Sequence, residues 1–471
     1  MDVFGLCGIV SSFELVLKKG LLEFDLECSK KYGKLWGFYE GRQPILAIMD
    51  PAIIKTILVK EFYTLFTNRR NFGLNGSLES SLTVLEDEKW KWIRAVVSPT
   101  FSSRKLKAMF SLMKRHGNIL VQNIEKTVAL DEVIDMKEIF GAYSLDIVTS
   151  MSFGVDTDSI SNPDDVFLRY TKKLISFSFV SPLIILTVMF PFLLPLLEKM
   201  NMTLLPQEAM DFFVTIIRHL KEQRRASGRR DHVDLLQLMI NFQNTVSHKS
   251  SKANQSPRAL TDEEICAQAT TFVFAGYETT SLTLSFIAYN LAIHPEVQAK
   301  LQEEIDRALP NKKDPDYDIL FQLEYLDMVV NETLRLFPLG GRLERVCKKS
   351  VNINGVTIPQ GTLVIIPTYV LHRDPKYWPK AEEFRPERFS KDNMRKMDPY
   401  VFLPFGLGPR MCVGMRFALL SIKLVMVLLL QNFSLETCKE TPIPLDLDTS
   451  RFMHPKKPIM LKLTPRRRVA S

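Results

Sequence analysis

The chain reads as a mainly α protein of the α+β class, on three observations. A long helical pattern runs through the middle of the sequence, short β-type runs flank it, and an apolar helical pattern follows Cys412. Its 471 residues are 46% hydrophobic and 24% charged, a balance that can bury a large core.

At the front, residues 35–39 and 45–48 read as strands around the turn-like Glu40-Gly41-Arg42-Gln43. Helical patterns dominate from about residue 50 to residue 340. Within them, the basic stretch 224–230 and the Ser-, Lys- and Asn-rich stretch 244–257 read as exposed connections. Residues 177–197 are the most apolar stretch, but Pro182, Pro191 and Pro195 break any continuous membrane helix. That stretch fits an apolar surface dipping into a bilayer interface and a buried core segment equally well.

The central helix pattern covers 261–294. Thr261-Asp262-Glu263-Glu264 forms a capping box with acids at the positive helix end, and Pro295 ends the pattern. Ala275-Gly276 falls at its middle, where a glycine costs about 1 kcal/mol relative to alanine and so implies close approach by another group. A second helix covers 322–337 and stops at Pro338. Short strands follow at 343–347, 351–353, 356–358 and 362–366, with Asn354-Gly355 as a hairpin turn. The last helix spans 415–431.

Several function classes drop out. The net charge of +8 comes without a finger, helix-turn-helix or aromatic-basic signature, so no nucleic-acid partner is expected. Six cysteines without paired spacing argue against a disulfide framework and a CxxC zinc site. Residues 3–10 are too short for a spanning helix and lack the basic start of a signal peptide. His372-Arg373-Asp374 stands without the other kinase motifs, and Asn331-Glu332-Thr333 is a sequon inside a helix pattern.

Phe405-Gly406-Leu407-Gly408-Pro409-Arg410-Met411-Cys412-Val413-Gly414 carries the strongest chemical signal. A tight loop delivers Cys412 to a helix N-terminus, where the positive helix end and unpaired N–H groups favour thiolate. Arg410 can pair with an anion, and Gly414 lets a flat ligand approach the backbone.

This segment resembles the cysteine loop of the cytochrome P-450 superfamily, F-x-x-G-x-R-x-C-x-G. Glu332-Thr333-Leu334-Arg335 matches the family's E-x-x-R, Pro386-Glu387-Arg388-Phe389 its P-E-R-F, and Ala275-Gly276-Tyr277-Glu278-Thr279-Thr280 its central-helix motif. The likeness is strongest to the microsomal 3A subfamily of drug and steroid oxidases. It implies one catalytic domain over 1–471, with small antiparallel sheets around a buried haem b whose iron is ligated by Cys412. Thr279 and Glu278 would then relay protons to O2, the co-substrate. Glu332, Arg335 and Arg388 would form a buried ion network supporting the cysteine loop. Trp90 and Arg94 resemble W-x-x-x-R, and with Arg69, Arg345 and Arg410 they would contact the haem propionates, beside Phe405 and Gly414. Phe72, Phe177, Phe179, Phe274, Ala275, Leu339, Gly340 and Leu343 would line the substrate pocket. Leu183, Ile184 and Leu205 stand where relatives often carry phenylalanine.

The resemblance further implies lipophilic substrates and NADPH-derived electrons. A separate NADPH-cytochrome P-450 reductase would deliver them, with cytochrome b5 as a second partner, because no dinucleotide fingerprint is present. Lys91, Lys105 and Lys107 are the docking candidates. The expected location is the cytosolic face of the endoplasmic reticulum, with peripheral membrane contact through 177–197. The anchor helix and proline-rich hinge of microsomal members are not evident at the front of the sequence. The alternative is a non-catalytic haem-binding variant lacking the anchor.

Overall fold

The computed structural model describes residues 20–176, 181–227, 234–249, 259–448 and 453–466. Expectations about the front of the chain, Phe177 and Phe179 therefore lie outside the described residues. Helix α1 (Leu21–Tyr32) leads into a hairpin of β1 (Leu35–Glu40) and β2 (Gln43–Ile48), turning at Gly41 and Arg42. The main helices are α2 (Asp87–Val97), α3 (Ser103–Ala129), α4 (Met136–Phe153), α5 (Pro182–Met189), α6 (Gln207–Ser227) and α7 (Leu235–Lys249). They continue as α8 (Asp262–Ile293), α9 (Pro295–Ala308), α10 (Glu324–Leu336) and α11 (Met415–Asn432).

The capping box forms as expected: Thr261 Oγ1 accepts from the Glu264 N–H at 3.2 Å, and Glu264 Oε2 accepts from the Thr261 N–H at 2.8 Å. From that start α8 runs unbroken through the protein, in contact with α4, α6, α10 and α11. Gly276 explains its tightest crossing. A Cβ there would lie 2.4 Å from Val148 Cγ2, so the glycine lets α4 approach α8.

Around this helical core lie short β3 (Ile134–Asp135), β4 (Leu343–Val346), β5 (Val351–Ile353), β6 (Val356–Ile358), β7 (Leu363–Ile366) and β8 (Phe433–Thr437). Strands β9 (Leu447–Asp448), β10 (His454–Pro455) and β11 (Met460–Pro465) complete the set. One sheet has the order β1-β2-β7-β4, parallel only between β2 and β7. The others are β3-β11-β8, β10-β9 and the hairpin β5-β6, closed at Asn354-Gly355. The mainly α, α+β architecture read from the sequence is the observed one.

Two connections differ from expectation. Arg224 belongs to α6 and is buried, with both terminal nitrogens on the Asp234 carboxylate at 2.7 and 2.9 Å. Residues 244–249 continue α7. The Asp234 carboxylate, a partner that a polar sequence does not announce, ties Arg224 into the fold.

The apolar stretch around the prolines folds as α5 and a short helical segment, Pro191–Lys199, bent by 104° at the break. Phe192 is 67% and Leu196 56% exposed, whereas Ile184 and Leu197 are buried. It is thus a surface element with an inward face. Helix α11 is long and apolar enough to cross a membrane, yet 72% of it is buried among the other helices.

Candidate functional site: a cysteine-floored cavity

The tight loop before α11 depends on Gly408, at φ +77, where a Cβ would lie 1.9 Å from the Leu58 carbonyl oxygen. That turn returns the chain so that the Cys412 N–H donates to the Phe405 carbonyl at 2.9 Å. Cys412 then faces a cavity of about 620 Å³, along with Phe405, Arg410 and Gly414. Its accessible surface is interior, since the residue lies deep in the protein and meets only the cavity.

Burial pushes the Cys412 thiol up; the Gly414 and Met415 N–H groups and the charges of Arg94 and Arg69 oppose this. The helix end is present as the sequence implied, but burial outweighs it. A bound metal cation deprotonates a coordinating thiol outright.

Arg69, Arg94, Arg345 and Arg410 gather on the same wall. Their partners are carbonyls. Arg94 Nη1 donates to Met411 at 2.8 Å, Arg345 Nη1 to Glu344 at 2.7 Å, and Arg69 Nη2 to Arg410 at 3.4 Å. Arg410 donates to Thr67 and Leu85, each at 2.6 Å. Among the described residues no carboxylate forms an ion pair with any of the four, and the buried Nε atoms of Arg345 and Arg410 have no partner. Burial first, then mutual repulsion, pushes Arg410 down to about 9 and holds Arg345 well below the usual range. Trp90 is buried beneath them, its ring 5.0 Å from the Arg410 guanidinium carbon. Such a cluster fits an anionic ligand with more than one negative group. The cysteine beside it fits a metal within that ligand, and the apolar walls fit a flat organic body. A haem could be held here on all three counts.

Opposite the cysteine, α8 presents Phe272, Ala275, Gly276, Thr279, Thr280 and Thr283 to the cavity. The Thr279 hydroxyl is turned back, donating to the Ala275 carbonyl at 2.6 Å. Glu278 does not line the cavity. It lies on the adjacent stripe of the helix and pairs with Lys137 of α4, whose Nζ donates to Glu278 Oε2 at 2.7 Å and to Ser281 Oγ at 2.8 Å. A cation on α4 thus holds the carboxylate on the side of the helix away from the cavity. Lys137 gave no signal in the sequence, being one lysine at a helix start.

Phe72, Leu339, Gly340 and Leu343 line the cavity. Phe274 does not; the helical rotation of about 100° per residue gives its place to Phe272, whose ring is 5.4 Å from Phe101. Leu82, Thr83, Phe101 and Val188 were also missed, since only the fold brings them to this wall. Ile184 lines it too.

Behind the cysteine loop, Glu332 and Arg335 are both 0% exposed. Arg335 donates to the two Glu332 oxygens at 2.7 and 2.8 Å and to the His372 carbonyl at 2.9 Å. Arg388 Nε reaches Glu332 at 3.2 Å, and its other nitrogens reach the Pro379 and Lys380 carbonyls. The His372 ring accepts from the Leu403 N–H at 2.9 Å, which ties this network to the chain entering the cysteine loop. Of the docking candidates, Lys107 pairs with Asp318 at 2.7 Å and Lys91 lies 3.6 Å from Glu88, and Lys105 forms no ion pair among the described residues.

A buried cavity with a cysteine floor, an arginine rim and an apolar helix roof defines the class of a haem-thiolate oxygenase. Comparison with known proteins agrees: the family described as Cytochrome P450 matches residues 5–463. Cytochrome P450 3A9 of Rattus norvegicus is 55% identical over 96% of this chain and 89% of its own length. Cytochrome P450 3A28 of Bos taurus is 55% identical over 95% of this chain and 87% of its length. Cytochrome P450 3A13 of Mus musculus is 54% identical over 96% and 89%. The chain belongs to the cytochrome P450 family. It is accordingly a monooxygenase that uses O2 and a thiolate-ligated haem.

Proposed function

We propose that this protein oxidises bulky lipophilic molecules (steroids, drugs and other xenobiotics) with electrons from NADPH passed on by a separate reductase, cytochrome b5 being a second donor. The observation that carries the reading is the pairing of Cys412 with arginines that form no ion pair with a carboxylate among the described residues. Cys412 would ligate the haem iron, and Arg69, Arg94, Arg345 and Arg410 with Trp90 would hold the propionates. Gly414 and Phe405 would lie beside its flat macrocycle. When bound, the haem supplies reductive activation of O2, with one oxygen atom passing to substrate and the other to water.

The chain's own residues supply the pocket and the protons. Phe72, Phe101, Leu339 and Leu343 give an apolar wall that excludes water and accepts lipophilic substrates loosely. Thr279 presents a hydroxyl proton once χ1 rotation releases Ala275. Glu278 resupplies it from the solvent side, leaving Lys137 to do so. Glu332, Arg335 and Arg388 hold the cysteine loop's support. Phe192 and Leu196 offer apolar surface to the cytosolic face of the endoplasmic reticulum membrane.

The deciding experiment is the carbon monoxide difference spectrum of the reduced protein, followed by steroid turnover with NADPH and added reductase. A thiolate-type band with NADPH-dependent product supports the reading. A band without turnover supports the non-catalytic haem-binding alternative, and no band overturns the assignment of Cys412.

A further inference from the structure

Residues 80–85 form a turn segment, neither helix nor strand, that crosses the cavity wall between α8 and the cysteine loop. Both of its ends are tied. At one end stands Gln268, a fully buried side chain of α8. Its Oε1 accepts from the Leu82 N–H at 2.7 Å. Its Nε2 donates to the Ser80 carbonyl at 2.5 Å and to the Glu264 carbonyl at 3.3 Å. The amide orientation follows from the partners, because Leu82 offers a donor and Ser80 an acceptor. At the other end, Arg410 Nη2 donates to the Leu85 carbonyl at 2.6 Å. Between the two ties, Leu82 and Thr83 face the cavity, and the Thr83 and Ser81 hydroxyls lie 2.7 Å apart.

We infer that Gln268 is a specificity-determining positioning residue: its amide fixes the height of Leu82 and Thr83 above the cavity and so selects bulky ligands. The inference deepens the proposed function and rests on reading this cavity as the substrate chamber. Gln268 touches no ligand itself; it acts through the strap. Replacing it with an apolar side chain leaves the buried Leu82 N–H and Ser80 carbonyl without partners, so the strap opens locally to find water. A large ligand that spans the cavity loses its wall, whereas a small one bound at the floor does not.

The test uses haem-loaded Gln268→Leu with two probes, testosterone and imidazole, titrated by their spectral shifts. Amide hydrogen exchange at Leu82 is measured in the ligand-free protein. Exchange at Leu82 should quicken about tenfold and testosterone bind about tenfold more weakly, with imidazole within about twofold of wild type. In a Leu82→Ala background the Gln268→Leu loss of testosterone affinity should disappear, as expected of residues acting through one contact. Gln268→Glu keeps the acceptor for Leu82 and should fall between wild type and the leucine variant; it carries the test if the leucine variant does not fold. Unchanged testosterone affinity, equal losses for both probes, or additive losses with Leu82→Ala would each overturn the inference. If the wild type gives no thiolate-type band, the proposed function fails, while the exchange at Leu82 still tests the strap.

Discussion

Two sets of buried and half-buried arginines sit on opposite sides of the cysteine loop, and they are built to opposite rules. Arg335 and Arg388, behind the loop, share the Glu332 carboxylate and place their remaining nitrogens on backbone carbonyls. Arg69, Arg94, Arg345 and Arg410, on the cavity side, have carbonyl partners, and the Arg345 and Arg410 Nε atoms have none. The first set is complete without a ligand and is part of the fold. The second carries charge that the protein alone leaves unneutralised, and it is part of a site. Burial alone does not distinguish structural from functional cations; the presence of a carboxylate does.

Breaking the complete set should have the largest effect. Arg335→Leu strips Glu332 of its two-pronged partner and leaves the buried carboxylate to Arg388 alone, and should cost about 3–5 kcal/mol in urea unfolding of the haem-free and haem-loaded proteins alike. Glu332→Leu combined with Arg335→Leu should recover part of that loss. A penalty confined to the loaded protein would collapse the distinction between the two sets.

Acid should act on the same side. Burial, then the charges of Arg335 and Arg373, pushes His372 down to about 3 from the ordinary 6.5. On acidification the unfolded chain binds this proton first, so stability falls as pH drops from 6.5 towards 3. The loss attributable to His372 is roughly 5 kcal/mol. His372→Gln, which keeps an acceptor for Leu403, should flatten that part of the stability–pH curve. An unchanged slope would show that other groups control the acid limb.

Arg345→Leu probes the incomplete set and should separate stability from cofactor retention. The haem-free protein should be as stable as wild type or gain about 1 kcal/mol, because an unpaired buried charge is removed. Haem retention, followed by transfer to apomyoglobin, should weaken by about 10-fold or more. A destabilised haem-free protein with normal retention would place Arg345 in the structural set instead.

The Lys137–Glu278 pair lies between these cases, half-enclosed and fully matched. Lys137→Met should cost about 1–2 kcal/mol, with most of the loss recovered by adding Glu278→Gln. Thermal unfolding of the four proteins in that cycle measures the coupling. Independent, additive losses would show that the pair does not hold Glu278 outward.

Much of this was legible in the sequence for local reasons. The capping box, Pro295 and the Asn354-Gly355 turn act within a few residues, so α8 and the β5-β6 hairpin could be placed closely. Cys412 and its loop were legible because a tight turn and helix start need particular residues in a row. Phe274 was assigned to the cavity through motif position, and it faces elsewhere because helix rotation decides direction; the partner of Glu278 on α4 likewise had no local signal. Leu82, Thr83 and Gln268 had no local signature, being joined across 186 residues.

By itself, then, the sequence determined the elements, the cysteine loop and the chemistry that loop supports, since each rests on short-range sterics and hydrogen bonding. Tertiary structure decided which charges are satisfied. Arg69 and Arg70 are neighbours in the chain, yet Arg70 is paired with Glu40 and Glu344 while Arg69 reaches only a carbonyl. Charge compensation depends on which distant carboxylate the packing delivers within about 4 Å, and only the folded chain fixes that.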